Sequence, residues 1–155
     1  MPEQIYLTPE GKAELERELD ELLKVRRPEL ALKLKEAVSQ GDLKENADYH
    51  DAKEQQAFME GRIQYLENVL RSAVLISNDG KSDEVRIGSE VTIVEDGGDE
   101  DETYKIVGPA EANPRERKIS HESPIGGALL GHRKGDKVRV ATPSGELIFK
   151  IKRIK

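Results

Sequence analysis

The sequence predicts an α+β protein in two parts: an N-terminal antiparallel helical hairpin of coiled-coil type, then a small antiparallel sheet domain with one short helix. Three observations predict it. Apolar residues recur at three- and four-residue steps through the first half of the chain. From Val85 onward they alternate in short runs separated by Gly, Pro and Asp. Charged residues make up 36% of the 155 residues, with no Trp and two Phe, which suits a narrow seam plus a modest globular unit rather than one large core.

The first helical stretch is expected from about Thr8 to Ser39. Thr8 stands as N-cap, Pro9 at the first helical position and Glu10 in the first turn. Leu15, Leu19, Leu22, Leu30, Leu34 and Ala37 then mark one face. The rhythm breaks at "VRRPE", where Pro28 lacks a backbone donor and crowds the preceding turn, so a kink or a fresh helical start is expected there. In the second stretch Ala52, Gln56, Met59, Ile63, Leu66, Leu70 and Ala73 step 4-3-4-3-4-3, an a/d seam. The connection around "GD" is too short for anything but antiparallel packing. Thirty residues of helix make a rod of about 45 Å, with no room for an internal pocket. Any active surface must lie outside or at the tip.

Strands are expected at Val85–Ile87, Val91–Val94, Tyr104–Val107, Val138–Ala141 and Leu147–Ile151, with "TPSGE" as a hairpin turn. "SPIGGALLG" reads as a short helix capped by Ser123 with Pro124 at its first position. "SNDGKSD" is the expected linker, giving parts 1–77 and 80–155. The run "EDGGDEDE" is read as an exposed hairpin loop.

Without cysteine the chain has no disulfide, thiolate metal site or cysteine nucleophile. No apolar run approaches the roughly 18 residues that span a bilayer, and the N-terminus does not read as a signal peptide, so a soluble cytoplasmic protein with no membrane partner is expected. The net charge of −6 argues against wholesale duplex binding. Its distribution is uneven. Residues 79–102 carry ten acids against two cations, and residues 103–155 carry twelve cations against five acids.

The densest puzzle is "QGDLKENADYHDAKE", where Asp42, Glu45, Asp48 and Asp51 crowd the turn between the helices. The plain structural reading makes Asp42 and Glu45 a capping box, with acids in the first turn complementing the helix dipole. The functional reading notes that residues three apart at a helix start share a face, so Asp42 and Glu45 would present two carboxylates to one point. Two carboxylates cannot complete the six-oxygen shell that Mg²⁺ prefers, but they can add ligands to a cation held partly by another molecule.

The motif "GDLKENADYHDAKEQQ" resembles the acidic tip of the Gre transcript cleavage factors of bacterial RNA polymerase, GreA type. "YLTPEGKAELERELDELLKVRRPEL" and "ISHESPIGGALLGHRKGDKVRVATPSGELIFKIKRI" resemble the family's two ends, so the likeness spans nearly the whole chain. The tip departs from the family pattern at Lys44, where serine is usual, and at Asp48, where glutamate is common. The resemblance implies an FKBP-like second domain that anchors on RNA polymerase, and a coiled coil that enters the polymerase secondary channel. It implies a monomer that is not itself an enzyme. The polymerase cleaves a backtracked RNA 3′ segment, and Asp42 and Glu45 help to hold a second Mg²⁺, the factor having no cofactor of its own. Ile119, Ser120, Ser123 and Pro124 are then the candidate anchor, and Lys33, Lys35, Lys44 and Lys53 the candidates for RNA proximity. A channel-binding inhibitor without cleavage activity is the alternative within this resemblance.

Other motifs carry less. His50 and Glu54 have ligand-like i, i+4 spacing but stand alone. "GGALLGH" lacks the Gly-Lys-Ser/Thr ending of a phosphate loop. A prolyl isomerase pocket needs aromatic walls, for which the second half offers only Tyr104 and Phe149.

Overall fold

The computed structural model describes residues 5–76 and 83–155. The expected linker therefore lies, but for Asp83, outside the described residues. The protein is α+β, and its described residues fall into two compact units. One is 12–72; the other joins 5–11 and 73–76 to 83–155, so residues 5–11 group with the sheet rather than with the helical hairpin.

In the helical unit, α1 (Pro9–Glu21) runs through a π-helical turn (Leu22–Arg26) into α2 (Arg27–Ser39), and α3 (Ala47–Ser72) returns. The Arg27 N–H donates to the Leu22 carbonyl five residues back, and Arg26 and Arg27 both keep right-handed helical dihedrals. The disturbance predicted at Pro28 is thus a widened turn just before it, not a break. A π turn shifts the carbonyls that the proline ring would strike and removes the need for its missing donor.

Ala52, Ile63, Leu66 and Val69 of α3 are buried, as are Leu15, Leu30 and Ala37. Val69 was not in the predicted seam, whereas Leu70 and Ala73 are only half-buried. A 3.6-residue repeat keeps Leu70 in phase with Ile63 and Leu66, so the burial of Val69, one position earlier, is not a drift of the heptad. Two bidentate pairs flank the seam. Arg27 donates to both Glu60 oxygens at 2.9 and 2.8 Å, and Arg62 to both Glu18 oxygens at 2.8 and 2.9 Å. Exposed pairs are worth about 0–1 kcal/mol, while each buried Leu, Ile or Val contributes about 1.5–3 kcal/mol. The seam holds the hairpin; the pairs fix its register.

The second unit contains a five-stranded sheet built from β3 (Glu90–Glu95), β4 (Asp101–Val107), β5 (Lys118–Ser120), β6 (Lys137–Thr142) and β7 (Gly145–Ile154), in the order β5-β4-β3-β7-β6. All pairings are antiparallel except β4 with β5, an edge that alternation alone did not reveal. Val91, Ile93, Ile106, Val138, Val140, Phe149 and Ile151 face a core that also takes Val85 and Leu129 of α4 (Pro124–Leu129). The strand expected at Val85–Ile87 does not form. Ser89 closes a tight turn on Arg86, accepting its N–H at 3.0 Å, and only an isolated bridge from Glu84 to Arg133 remains.

A separate parallel pair, β1 (Tyr6–Leu7) with β2 (Val74–Leu75), completes this unit. The fully buried Thr8 caps α1 as predicted, its Oγ1 accepting the Gly11 N–H at 3.1 Å. Its own N–H and hydroxyl donate to the Glu111 carboxylate at 2.8 and 2.6 Å.

Candidate functional site at the hairpin tip

Helix α2 ends where the Gln40 N–H donates to the Ala37 carbonyl, and Gly41 follows at φ 120°, a value that favours glycine. Residues 41–46 form the loop, and α3 starts at Ala47. The cap of α3 is Asn46. Its Oδ1 accepts the Tyr49 N–H at 3.0 Å, and its Nδ2 donates to the Ala37 carbonyl at 2.6 Å, tying the end of one helix to the start of the next.

This corrects the capping-box reading of Asp42 and Glu45. A cap acceptor must stand directly before its helix, and Asp42 stands five positions before Ala47. Nor do the two acids share a helical face, because both lie in the loop. Asp42 Oδ1 accepts the Lys44 N–H at 3.0 Å, a local turn that leaves Oδ2 free. The Glu45 carboxylate makes no hydrogen bond or ion pair among the described residues, and both acids are exposed. The sequence signal for Asn46 was an Asn immediately before a residue pair opening a helix, masked by the more conspicuous Asp-x-x-Glu.

The neighbouring acids are occupied or differently placed. Asp48 lies in the first turn of α3, where negative charge complements the helix dipole. Asp51 accepts from Gln55 Nε2 at 2.9 Å. Asp48 and Asp51 also line a groove of about 230 Å³ with Lys33, Glu36 and Gln40. His50 Nε2 lies 3.1 Å from the Lys44 carbonyl, a contact that requires the ring nitrogen to donate, so this nitrogen offers no lone pair to a metal beside Glu54. Lys53 lies 6.0 Å from the Tyr49 ring centroid, and Lys35 and Lys44 are exposed. No group of three or more His, Asp or Glu that could hold a metal ion occurs among the described residues.

The candidate anchor is built differently. Ile119 packs against the sheet core from β5. The Ser120 carbonyl accepts the Ser123 N–H at 3.0 Å and the Ser123 hydroxyl at 2.6 Å, while Ser120 Oγ accepts the Glu122 N–H at 3.0 Å. Ser123 Oγ accepts the Gly126 N–H at 3.0 Å, which is the predicted cap of α4. Of the four residues only Pro124 is exposed. Beside them the His121 ring meets Tyr6 edge-on at 5.7 Å.

Comparison with known proteins matches both halves. Residues 5–75 fit the family model for the transcription elongation factor N-terminal domain, and residues 80–155 that for the GreA/GreB C-terminal domain. The chain is 50% identical to transcription elongation factor GreA of Geobacillus kaustophilus over 153 residues, 98% of this chain and 97% of that one. It is 51% identical to the GreA of Roseiflexus sp. over 143 residues, 92% and 91% of the two chains. Among solved structures it is similar to GreA factor homolog 1 of Thermus thermophilus, at 33% identity over 99% of each chain and a TM-score of 0.46.

Proposed function

The chain belongs to the GreA/GreB family of transcription elongation factors, and on that premise we propose that it binds bacterial RNA polymerase, enters the secondary channel with its hairpin tip, and stimulates the polymerase's own cleavage of backtracked RNA. The observation that carries this reading is the pair of exposed loop carboxylates, Asp42 and Glu45, that the fold does not use for capping. Together they offer free carboxylate oxygens and no complete metal site, as suits groups that add ligands to a Mg²⁺ ion partly held by another protein.

When bound there, such an ion stabilises charge on the attacking or leaving oxygen of a phosphodiester under hydrolysis. The chain's own contribution is positional. The Lys44 N–H fixes one Asp42 oxygen and leaves the other free. Asn46 joins both helix ends at the base of the loop, so the two acids stand on a short, braced turn. Lys33, Lys35, Lys44 and Lys53 are proposed to face the RNA. The Ile119–Pro124 turn is proposed to anchor on the polymerase, with Pro124 as its exposed contact. A hundredfold gain in metal occupancy below saturation corresponds to about 2.7 kcal/mol.

The test is transcript cleavage in a backtracked complex across a Mg²⁺ titration, with wild type, Asp42→Asn and Glu45→Gln. Both variants are expected to lose stimulation while keeping helicity and polymerase binding. Wild-type inhibition of elongation and of cleavage together, without stimulation at any Mg²⁺ concentration, would overturn the assignment in favour of a channel-blocking inhibitor.

A further inference from the structure

Beyond the hairpin, the sheet unit carries a cationic face that the proposed mechanism leaves unused. Along β6, Val138 and Val140 point into the core, so Lys137 and Arg139 point out. Along β7, Phe149 and Ile151 point inward and Lys150 outward. A bulge then inserts Lys152, and Arg153 pairs with Thr92, whose neighbours Val91 and Ile93 are core residues. Lys137, Arg139, Lys150 and Arg153 therefore share the outer face, all exposed. Arg153 also lines a cavity of about 370 Å³ with Asp83, Lys134 and Arg133, the last paired with Glu84 at 3.1 Å, so Lys134 extends the cationic track.

The charges are incompletely balanced. Arg139 pairs with Glu146 at 3.7 Å, Lys137 with Asp96 at 3.9 Å and Lys152 with Asp101 at 2.9 Å, all on the surface, where such pairs exchange readily with a competing anion. Lys150 and Arg153 have no ion pair among the described residues. Lys150 lies directly opposite Lys137 in the β6–β7 register, an arrangement of like charges that disfavours the sheet. An anion shared between the two ammonium groups reverses that sign.

We propose that this outer face of β6 and β7 binds the phosphodiester backbone of single-stranded nucleic acid. Outward side chains on one strand repeat every two residues, about 6.8 Å apart, a spacing that lets successive cations meet successive phosphates. The face carries no aromatic residue, and its larger apolar members, the diagonal neighbours Val94 and Ile148, are half-buried. It thus lacks the aromatic and apolar anchors on which a protein interface is centred. It also lacks the stacking platforms that grip bases. What remains is a sequence-independent contact to phosphate. RNA is the natural occupant only through the activity proposed above, so the choice between RNA and DNA rests on that reading; the phosphate contact does not.

The test is fluorescence anisotropy of the full-length protein with labelled 12-nucleotide oligo-U and oligo-dT, from low to physiological salt. The expected result is equal binding of both, with log K falling against log salt at a slope of about −2, as for about three phosphates on a single strand. Lys150→Glu with Arg153→Glu is expected to weaken binding at least tenfold without lowering the melting temperature, since the carboxylate introduced at position 150 would face Lys137 across the strands; Lys150→Gln with Arg153→Gln repeats the measurement if charge reversal perturbs folding. Asp42→Asn should bind as wild type does, so this result stands whatever becomes of the cleavage assay. The proposal is overturned by an absence of binding at low salt, or by retention of binding in both sheet variants. It is equally overturned if binding is lost in a Lys33→Gln, Lys35→Gln, Lys53→Gln protein instead, or if a polyglutamate of equal charge binds better than either oligonucleotide, which would identify an acidic protein as the partner.

Discussion

The tip loop and the Ser120–Gly126 turn are both short, both join two elements, and both hold residues singled out in the sequence, yet they treat those residues oppositely. In the turn the polar groups are bonded inward: Ser120 and Ser123 between them make five hydrogen bonds that wind the chain into α4. In the loop Asn46 does the structural work, leaving the Glu45 carboxylate and one Asp42 oxygen without a bond. A residue free of folding duty is available for chemistry, whereas a bonded one takes part in recognition mainly by shaping the backbone around it. That difference can be attacked from both sides.

The largest effect is expected in the turn. A Cβ at Gly126 would overlap the Ser120 carbonyl oxygen, which already accepts two hydrogen bonds and cannot retreat without losing them. Gly126→Ala should cost about 3 kcal/mol in urea unfolding of the full chain. A loss below about 1 kcal/mol would show that the turn yields easily and that the contrast with the loop is overdrawn.

Next comes the loop's own brace. Asn46→Ala removes the cap of α3 and the bond to the Ala37 carbonyl together, and about 2 kcal/mol is expected. Asn46→Asp retains the acceptor and loses the donor, so it should fall between. Asp42→Ala, one turn away, should stay within about 0.5 kcal/mol at neutral pH. If Asp42→Ala cost as much as Asn46→Ala, the Asp42 carboxylate would be a folding element after all.

How much of this could be read in the sequence follows from the range of the forces involved. The caps at Thr8 and Ser123 were legible because a cap is decided within four residues. Asn46 was missed although it obeys the same local rule, because Asp42 and Glu45 mimic a capping box at the wrong place. Strand β5 and the β1–β2 pair were not legible at all. They are two or three residues long and exist only because distant segments meet: Tyr6 with Val74, and Lys105 with Lys118. The phase of the helical seam was right through Leu66 and failed at Val69, a position that neither the heptad count nor the 3.6-residue repeat selects. Recognition of the acidic tip came from the motif itself. That its acids are free of capping needed coordinates.

A smaller effect separates the turn from its exposed proline. Ser123→Ala removes the acceptor for the Gly126 N–H and the donor to the Ser120 carbonyl, with about 1 kcal/mol expected. Pro124→Ala touches no hydrogen bond in the turn and should be nearly neutral in thermal melting. If Pro124 is the contact proposed here, the concentration for half-maximal cleavage should rise in Pro124→Ala while the saturating rate stays the same. A fall in the saturating rate at unchanged half-maximal concentration would instead implicate the turn in the chemistry.

The smallest effect tests the same distinction, between carboxylates spent on folding and carboxylates left over, within the hairpin alone. Glu60 on α3 accepts two hydrogen bonds from Arg27, and these bonds hold its carboxyl below the ordinary glutamate range, outweighing the opposing effect of partial desolvation. The folded state therefore releases the Glu60 proton more readily than the unfolded chain does. The resulting stabilisation is fully present above the ordinary glutamate range, and it disappears as the pH falls through the lowered folded value. Because the pair is exposed, screening keeps the effect small and salt-sensitive. The difference in melting temperature between wild type and Glu60→Gln, followed by helical circular dichroism, should be present at neutral pH and shrink as the solution is acidified below the glutamate range. It should also shrink when salt is added at neutral pH. A difference that stayed constant through the acid range would mean that Glu60 stabilises the hairpin by packing its methylenes rather than by its charge, and the two kinds of carboxylate would then differ less than the geometry says.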